Sequence, residues 1–81
     1  MTDESPGRLR WRCRRGMKEL DLLLERWLEL RFAAADVARR QAFWLLLDEP
    51  DPQIADWLLG GSRPADAALA SLIDDIVRAR H

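Results

Sequence analysis

Apolar residues between Met17 and Arg31 fall at Leu20, Leu23, Leu24, Trp27 and Leu28, in steps of three and four. On a helix of 3.6 residues per turn these positions line up as one stripe, with charged residues on the other side. The segment holds strong helix formers and no β-branched residue, so it predicts the longest helix of the chain. Three later segments repeat the pattern. Asp36 can cap a helix through Val37, Phe43, Leu46 and Leu47, which Glu49-Pro50-Asp51-Pro52 closes. Ile54, Trp57 and Leu58 share one side of a short helix that Gly60-Gly61-Ser62 stops. Pro64 and Asp66 open a last helix carrying Leu69, Leu72, Ile73, Ile76 and Val77.

The first segment reads two ways. Leu9, Trp11 and Cys13 alternate with Arg8, Arg10, Arg12 and Arg14, which is the period of a strand. No later segment offers such a strand a partner. Ser5-Pro6-Gly7 also has the form of a helix start, with Ser5 as cap and Pro6 at the first helical position. Arg8 to Arg15 is therefore read as a short helix. The fold class that follows is all-α: a compact five-helix antiparallel bundle in a single domain. Residues 1–7 read as a flexible N-terminal tail with the first helix cap, and residues 8–81 as the domain.

Length narrows what such a bundle can do. A chain of 81 residues buries roughly 60–65% of its unfolded surface and has an expected radius of gyration of about 12 Å. A body of that size offers a surface or a shallow groove rather than the deep cleft a dinucleotide needs. The 13 basic and 14 acidic side chains leave a net charge of −1, so overall charge points to neither nucleic acid nor an anionic membrane. Charge is unevenly placed, however, with Arg8, Arg10, Arg12, Arg14, Arg15 and Lys18 forming a basic block. A single cysteine, Cys13, excludes an internal disulfide and argues for a reducing compartment, the cytoplasm. The longest apolar run, Ala42 to Leu47, is far short of a membrane span.

Catalytic chemistry finds few residues to work with. Hydrolysis or redox catalysis wants a nucleophile, a base and an orienting group within reach of one another. The one histidine is His81, at the end of the chain. Cys13 and a distant histidine cannot make a zinc site, and Gly60-Gly61 lacks the lysine and preceding strand of a phosphate loop. Asp48-Glu49 and Asp74-Asp75 are adjacent acids of the kind that usually sit solvated on helix surfaces. The sequence therefore reads as a binding protein and not an enzyme.

The densest local signal is Arg14-Arg15-Gly16-Met17-Lys18-Glu19. A structural account covers it: Gly16 takes a positive φ between two helices, the arginines favour a helix C-terminus, and Glu19 favours the next N-terminus. Trp27 and Trp57 fall on apolar stripes, and Trp44 sits at the edge of the core beside Phe43. Trp11 lies among arginines, either stacked by them or available as an interface anchor. Cys13 is read as a small buried apolar residue whose pKa nearby arginines could lower. A helix-turn-helix that binds nucleic acid is the minority reading, because Asp21, Glu25 and Glu29 follow the basic block closely.

The run from Trp11 to Asp21 resembles the signature of the SdhE family, also called succinate dehydrogenase assembly factor 2 or the flavinator family. The family hallmark Arg-Gly-x-x-Glu is matched by Arg15, Gly16 and Glu19. Phe43 through Leu47, Pro52 with Asp56-Trp57-Leu58, and Pro64-Ala65-Asp66 look like the family's later helices, so the resemblance spans residues 8 to 80. One departure is Arg39, which stands where a reciprocal capping-box Glu is common. The resemblance implies a five-helix factor that binds the flavoprotein subunit of succinate dehydrogenase and promotes covalent attachment of FAD to a histidine there. It often implies a similar service to fumarate reductase, and some members have been labelled antitoxins. On this reading FAD belongs to the partner, with no cofactor or metal held tightly by this chain. The partner-binding residues are then Arg15, Gly16 and Glu19, with Trp11, Arg14, Lys18 and Asp21 around them. Arg15 is expected to offer its forked donors to the partner, Gly16 a bare backbone, and Glu19 an acceptor.

Overall fold

The computed structural model describes residues 6–79 of the chain, and the proposed cap Ser5 and terminal His81 lie outside them. Five helices form over the described residues: α1 (Pro6–Arg12), α2 (Lys18–Arg31), α3 (Val37–Leu47), α4 (Asp51–Leu58) and α5 (Ala67–Arg78). The ambiguous first segment is helical, and its pattern shows why the alternation misleads. Leu9 and Cys13, four residues apart, share one face and are fully buried, whereas Trp11 points away and is 74% exposed. Only two of the three alternating apolar residues belong to the core.

Helix ends follow the local chemistry. Asp36 caps α3, its carboxylate accepting from the Arg39 amide at 2.8 Å, and Asp66 caps α5 from the Leu69 amide at 2.9 Å. Pro64 therefore precedes the cap of α5 instead of entering the helix. Helix α4 begins with Pro50 at the capping position and stops at Gly60-Gly61, where Gly61 adopts φ +87°. A Cβ at Gly60 would lie 3.0 Å from the Asp56 carbonyl oxygen, so any larger residue there would have to push that backbone aside.

The stripes meet in one core. Helix α5 packs against α2, α3 and α4, while α1 closes over α2. Trp27 is fully buried at its centre, with its ring centroid 4.7 Å from that of Phe43 and 6.0 Å from that of Phe32. Each aromatic pair of this kind contributes ~0.5–1.5 kcal/mol beyond area burial. The indole Nε1 donates to Asp75 at 2.7 Å, which gives the one buried carboxylate among the described residues a partner. The Arg31 and Arg39 guanidiniums each approach the same carboxylate to 3.8 Å. A buried acid is tolerable on these terms, and it ties α2 to α5. The Cα radius of gyration is 11.4 Å, and no helix of the described residues is long and apolar enough to cross a membrane.

Candidate docking site at the first helix turn

Helix α1 ends at Arg12 and α2 starts at Lys18, so five residues must reverse the chain. Gly16 makes the reversal at φ +85°. Met17 takes the N-cap position of α2 without any side-chain cap. Asp21, from the first turn of α2, reaches back instead. Its carboxylate accepts from the Arg15 amide at 2.8 Å and from the Gly16 amide at 3.3 Å. Consecutive amides aimed at one carboxylate form a small anion nest, here filled by the chain's own side chain.

Arg15 is the second brace. Its side chain is only 15% exposed, against 69% for neighbouring Arg14. Nε donates to Asp51 at 2.8 Å, one terminal nitrogen to the Glu49 carbonyl at 2.9 Å and the other to the Arg12 carbonyl at 3.0 Å. The guanidinium thus closes the last turn of α1 and crosses to the α3–α4 connection. This orientation differs from donors held out to a partner. A largely buried guanidinium needs acceptors nearby, and the fold supplies three of them. Arg12 makes a parallel link to Asp48, so two arginines three apart meet two aspartates three apart.

The brace leaves the Gly16 backbone and Glu19 facing outward. Gly16 is exposed, and a Cβ built on it would meet no atom within 4 Å. From inside the molecule, only its φ requires glycine. Glu19 is exposed one turn further on, and its carboxylate enters none of the ion pairs formed among the described residues. It edges a shallow groove of about 170 Å³ with Leu22, Leu23 and Arg26. Leu22 is 55% exposed there, and Met17 lies exposed nearby in sequence. Lys18 is exposed as well, and Arg14 stands 4.0 Å from Glu25. Trp44, not only Trp11, meets an arginine-rich surface: the Arg12 guanidinium lies 5.2 Å from the Trp44 ring centroid.

The structure brings Arg15, Gly16, Glu19 and Asp21 into one turn but divides their tasks, two facing inward and two outward. Sequence reasoning missed Asp51 and the Glu49 carbonyl, because nothing local marks an acid 36 residues away as the partner of Arg15. Cys13 is fully buried, as expected of a small apolar residue, but the arginines do not lower its pKa. Burial outweighs the arginines and pushes the thiol up to about 12, with Glu25 adding to the effect.

Fold and site together define a small all-α protein with an exposed, internally braced turn between its first two helices. Its buried thiol is held protonated, its Ser71 hydroxyl accepts from Arg39, and no group of three or more His, Cys, Asp or Glu among the described residues could hold a metal ion. Comparison with known proteins gives this class a family. The family model described as "Flavinator of succinate dehydrogenase" matches residues 7–80, and the chain belongs to that family. It is 45% identical over 69 residues to the FAD assembly factor SdhE of Coxiella burnetii, covering 85% of this chain and 84% of that one. The FAD assembly factor SdhE of Methylococcus capsulatus is 50% identical over 66 residues, covering 82% and 80%. That of Aliivibrio fischeri is 39% identical over 74 residues, covering 91% and 86%.

Proposed function

We propose that this protein is a cytoplasmic assembly factor that docks the Gly16 turn onto the flavoprotein subunit of succinate dehydrogenase and promotes covalent attachment of FAD there. The flavoprotein of fumarate reductase is a second client. This chain contributes binding and orientation, and the bond-forming chemistry stays with the flavin and the partner. Binding favours the partner conformation in which the flavin and its acceptor histidine are aligned. The observation that carries the reading is the exposed backbone of Gly16, braced from inside by Asp21, with open space beyond its chain neighbours where a Cβ would stand. A partner's main chain can approach such a surface more closely than any side chain would allow. Glu19 beside it supplies an acceptor at the rim.

Substitution at Gly16 tests this. Gly16→Arg adds ~1–2 kcal/mol of left-handed backbone strain and no internal clash, so the helices remain folded by circular dichroism. Flavin fluorescence of the partner subunit, read on a denaturing gel from cells carrying the variant, should fall to background. Unchanged flavinylation would sink the proposal. Gly16→Asn separates two causes, since Asn tolerates positive φ but still carries a Cβ. Docking through bare backbone predicts that Asn fails along with Arg.

A further inference from the structure

Arg15 sits within the turn, yet its three hydrogen bonds run to Arg12, Glu49 and Asp51 of its own chain. Asp21 likewise uses both carboxylate oxygens on the turn's amides. We propose that Asp51 and Asp21 are positioning residues of the docking surface, and that Arg15 acts on the partner through them and not by touching it. The inference rests on the proposed docking role of the Gly16 turn and says how the turn is held.

Geometry supports a positioning role on three counts. First, Gly16 has no side chain to anchor it and no described atom within 4 Å of a built Cβ. Its place in space is therefore set by the backbone on either side. Second, the two braces act from different elements: Asp21 from α2, Asp51 from the start of α4. Asp21 fixes the peptide planes at residues 15 and 16, and Arg15 with Asp51 fixes the turn against the rest of the bundle. Third, the Arg15 guanidinium is largely shielded, so its hydrogen bonds escape most of the screening that makes exposed ion pairs weak. Losing Asp51 leaves Arg15 with two carbonyls and no counter-charge, and the turn is then free to shift.

The test is a double-mutant cycle on binding of the purified flavoprotein subunit to the full chain, measured by calorimetry with Arg15→Ala, Asp51→Ala and the double variant. A charge-assisted bond of this type predicts a roughly ten- to hundredfold weaker Kd for Asp51→Ala. Because both residues serve one brace, the double variant should bind within about twofold of Arg15→Ala alone. Asp51→Asn, which keeps an oxygen acceptor, should lose less, and it carries the test should Asp51→Ala not fold. Asp21→Asn turns an acceptor into a donor facing the Gly16 amide and should also weaken binding. Asp66→Ala, which uncaps α5 elsewhere in the chain, controls for lost stability and should leave Kd unchanged. Wild-type affinity in Asp51→Ala overturns the inference, as do Arg15 and Asp51 losses that multiply in the double variant. Gly16→Arg keeps the two questions apart. If it abolishes binding while Asp51→Ala does nothing, only the positioning role fails; if it too binds normally, the docking role fails.

Discussion

At the scale of single residues, two of the tryptophans in or against the core, Trp27 and Trp44, differ in what their indole nitrogens do. Trp27 donates to the buried Asp75, whereas Trp44 Nε1 is buried and finds no partner among the described residues. Replacing either by Phe keeps an aromatic ring, but Trp27 is fully buried while Trp44 is partly exposed beneath the Arg12 guanidinium, so the difference reports burial and the hydrogen bond together. Trp27→Phe takes the short hydrogen bond from a buried carboxylate, leaving it the two arginines at 3.8 Å, and should lower unfolding free energy by about 2–3 kcal/mol in urea titrations. Trp44→Phe removes a donor that has nothing to lose and should cost less than about 1 kcal/mol. Equal losses would show that Asp75 draws its stabilisation from Arg31 and Arg39 instead. Cys13 gives a prediction with a pH sign. Its pKa is raised from 9.0 to about 12, so across that window the unfolded chain has lost a proton that the folded chain keeps. Stability is then fully present below pH 9 and declines as pH rises toward 12. Chemical denaturation at pH 8 and pH 10.5 checks this, and Cys13→Ser should flatten the difference.

At the scale of elements, the helices were legible because each carries its own stripe and its own punctuation. Asp36 and Asp66 stand just before apolar runs, and both accept the amide three residues on. Asp36→Ala or Asp66→Ala should each cost about 1 kcal/mol, with the loss visible as a lowered thermal midpoint. Gly60→Ala should cost about 1–3 kcal/mol, because the Asp56 carbonyl 3.0 Å away is backbone that must move. The first helix was harder to read, since its strict alternation of apolar residue and arginine fits a strand, and only tertiary packing decides that Leu9 and Cys13 go in while Trp11 stays out. The site was half legible. Positive φ at Gly16 and exposure of Glu19 follow from local sequence. The inward course of Arg15 does not, because its acceptors come from a connection that is distant in the chain. Exposed Leu22 on α2 extends the outward face beyond the motif. Leu22→Asp should therefore weaken flavoprotein binding several-fold at unchanged stability, in the same calorimetric assay.

At the scale of the whole molecule, the basic block at the start of the chain is largely neutralised by folding. Arg10 faces Glu29, Arg12 faces Asp48, Arg14 faces Glu25 and Arg15 faces Asp51. The acids come from α2 and from the region joining α3 to α4, so the cancellation exists only in the folded state and could not be read from the clustering of arginines. It bears directly on the alternative that helices α1 and α2 grip nucleic acid. Six cations bound to phosphates would release counterions and give a slope of about −5 in log K against log salt. At least four of the six stand beside carboxylates of the described residues, and each would have to leave its partner to reach a phosphate. Titration of a labelled duplex by fluorescence anisotropy, across a salt series, should therefore show weak binding and a slope far shallower than −5. A steep slope with sub-micromolar affinity at physiological salt would return nucleic acid to first place. Binding to the flavoprotein subunit should depend on salt far less than six phosphate contacts would, since the outward surface at the turn mixes bare backbone and an exposed leucine with charges of both signs, Glu19 beside Arg14 and Lys18.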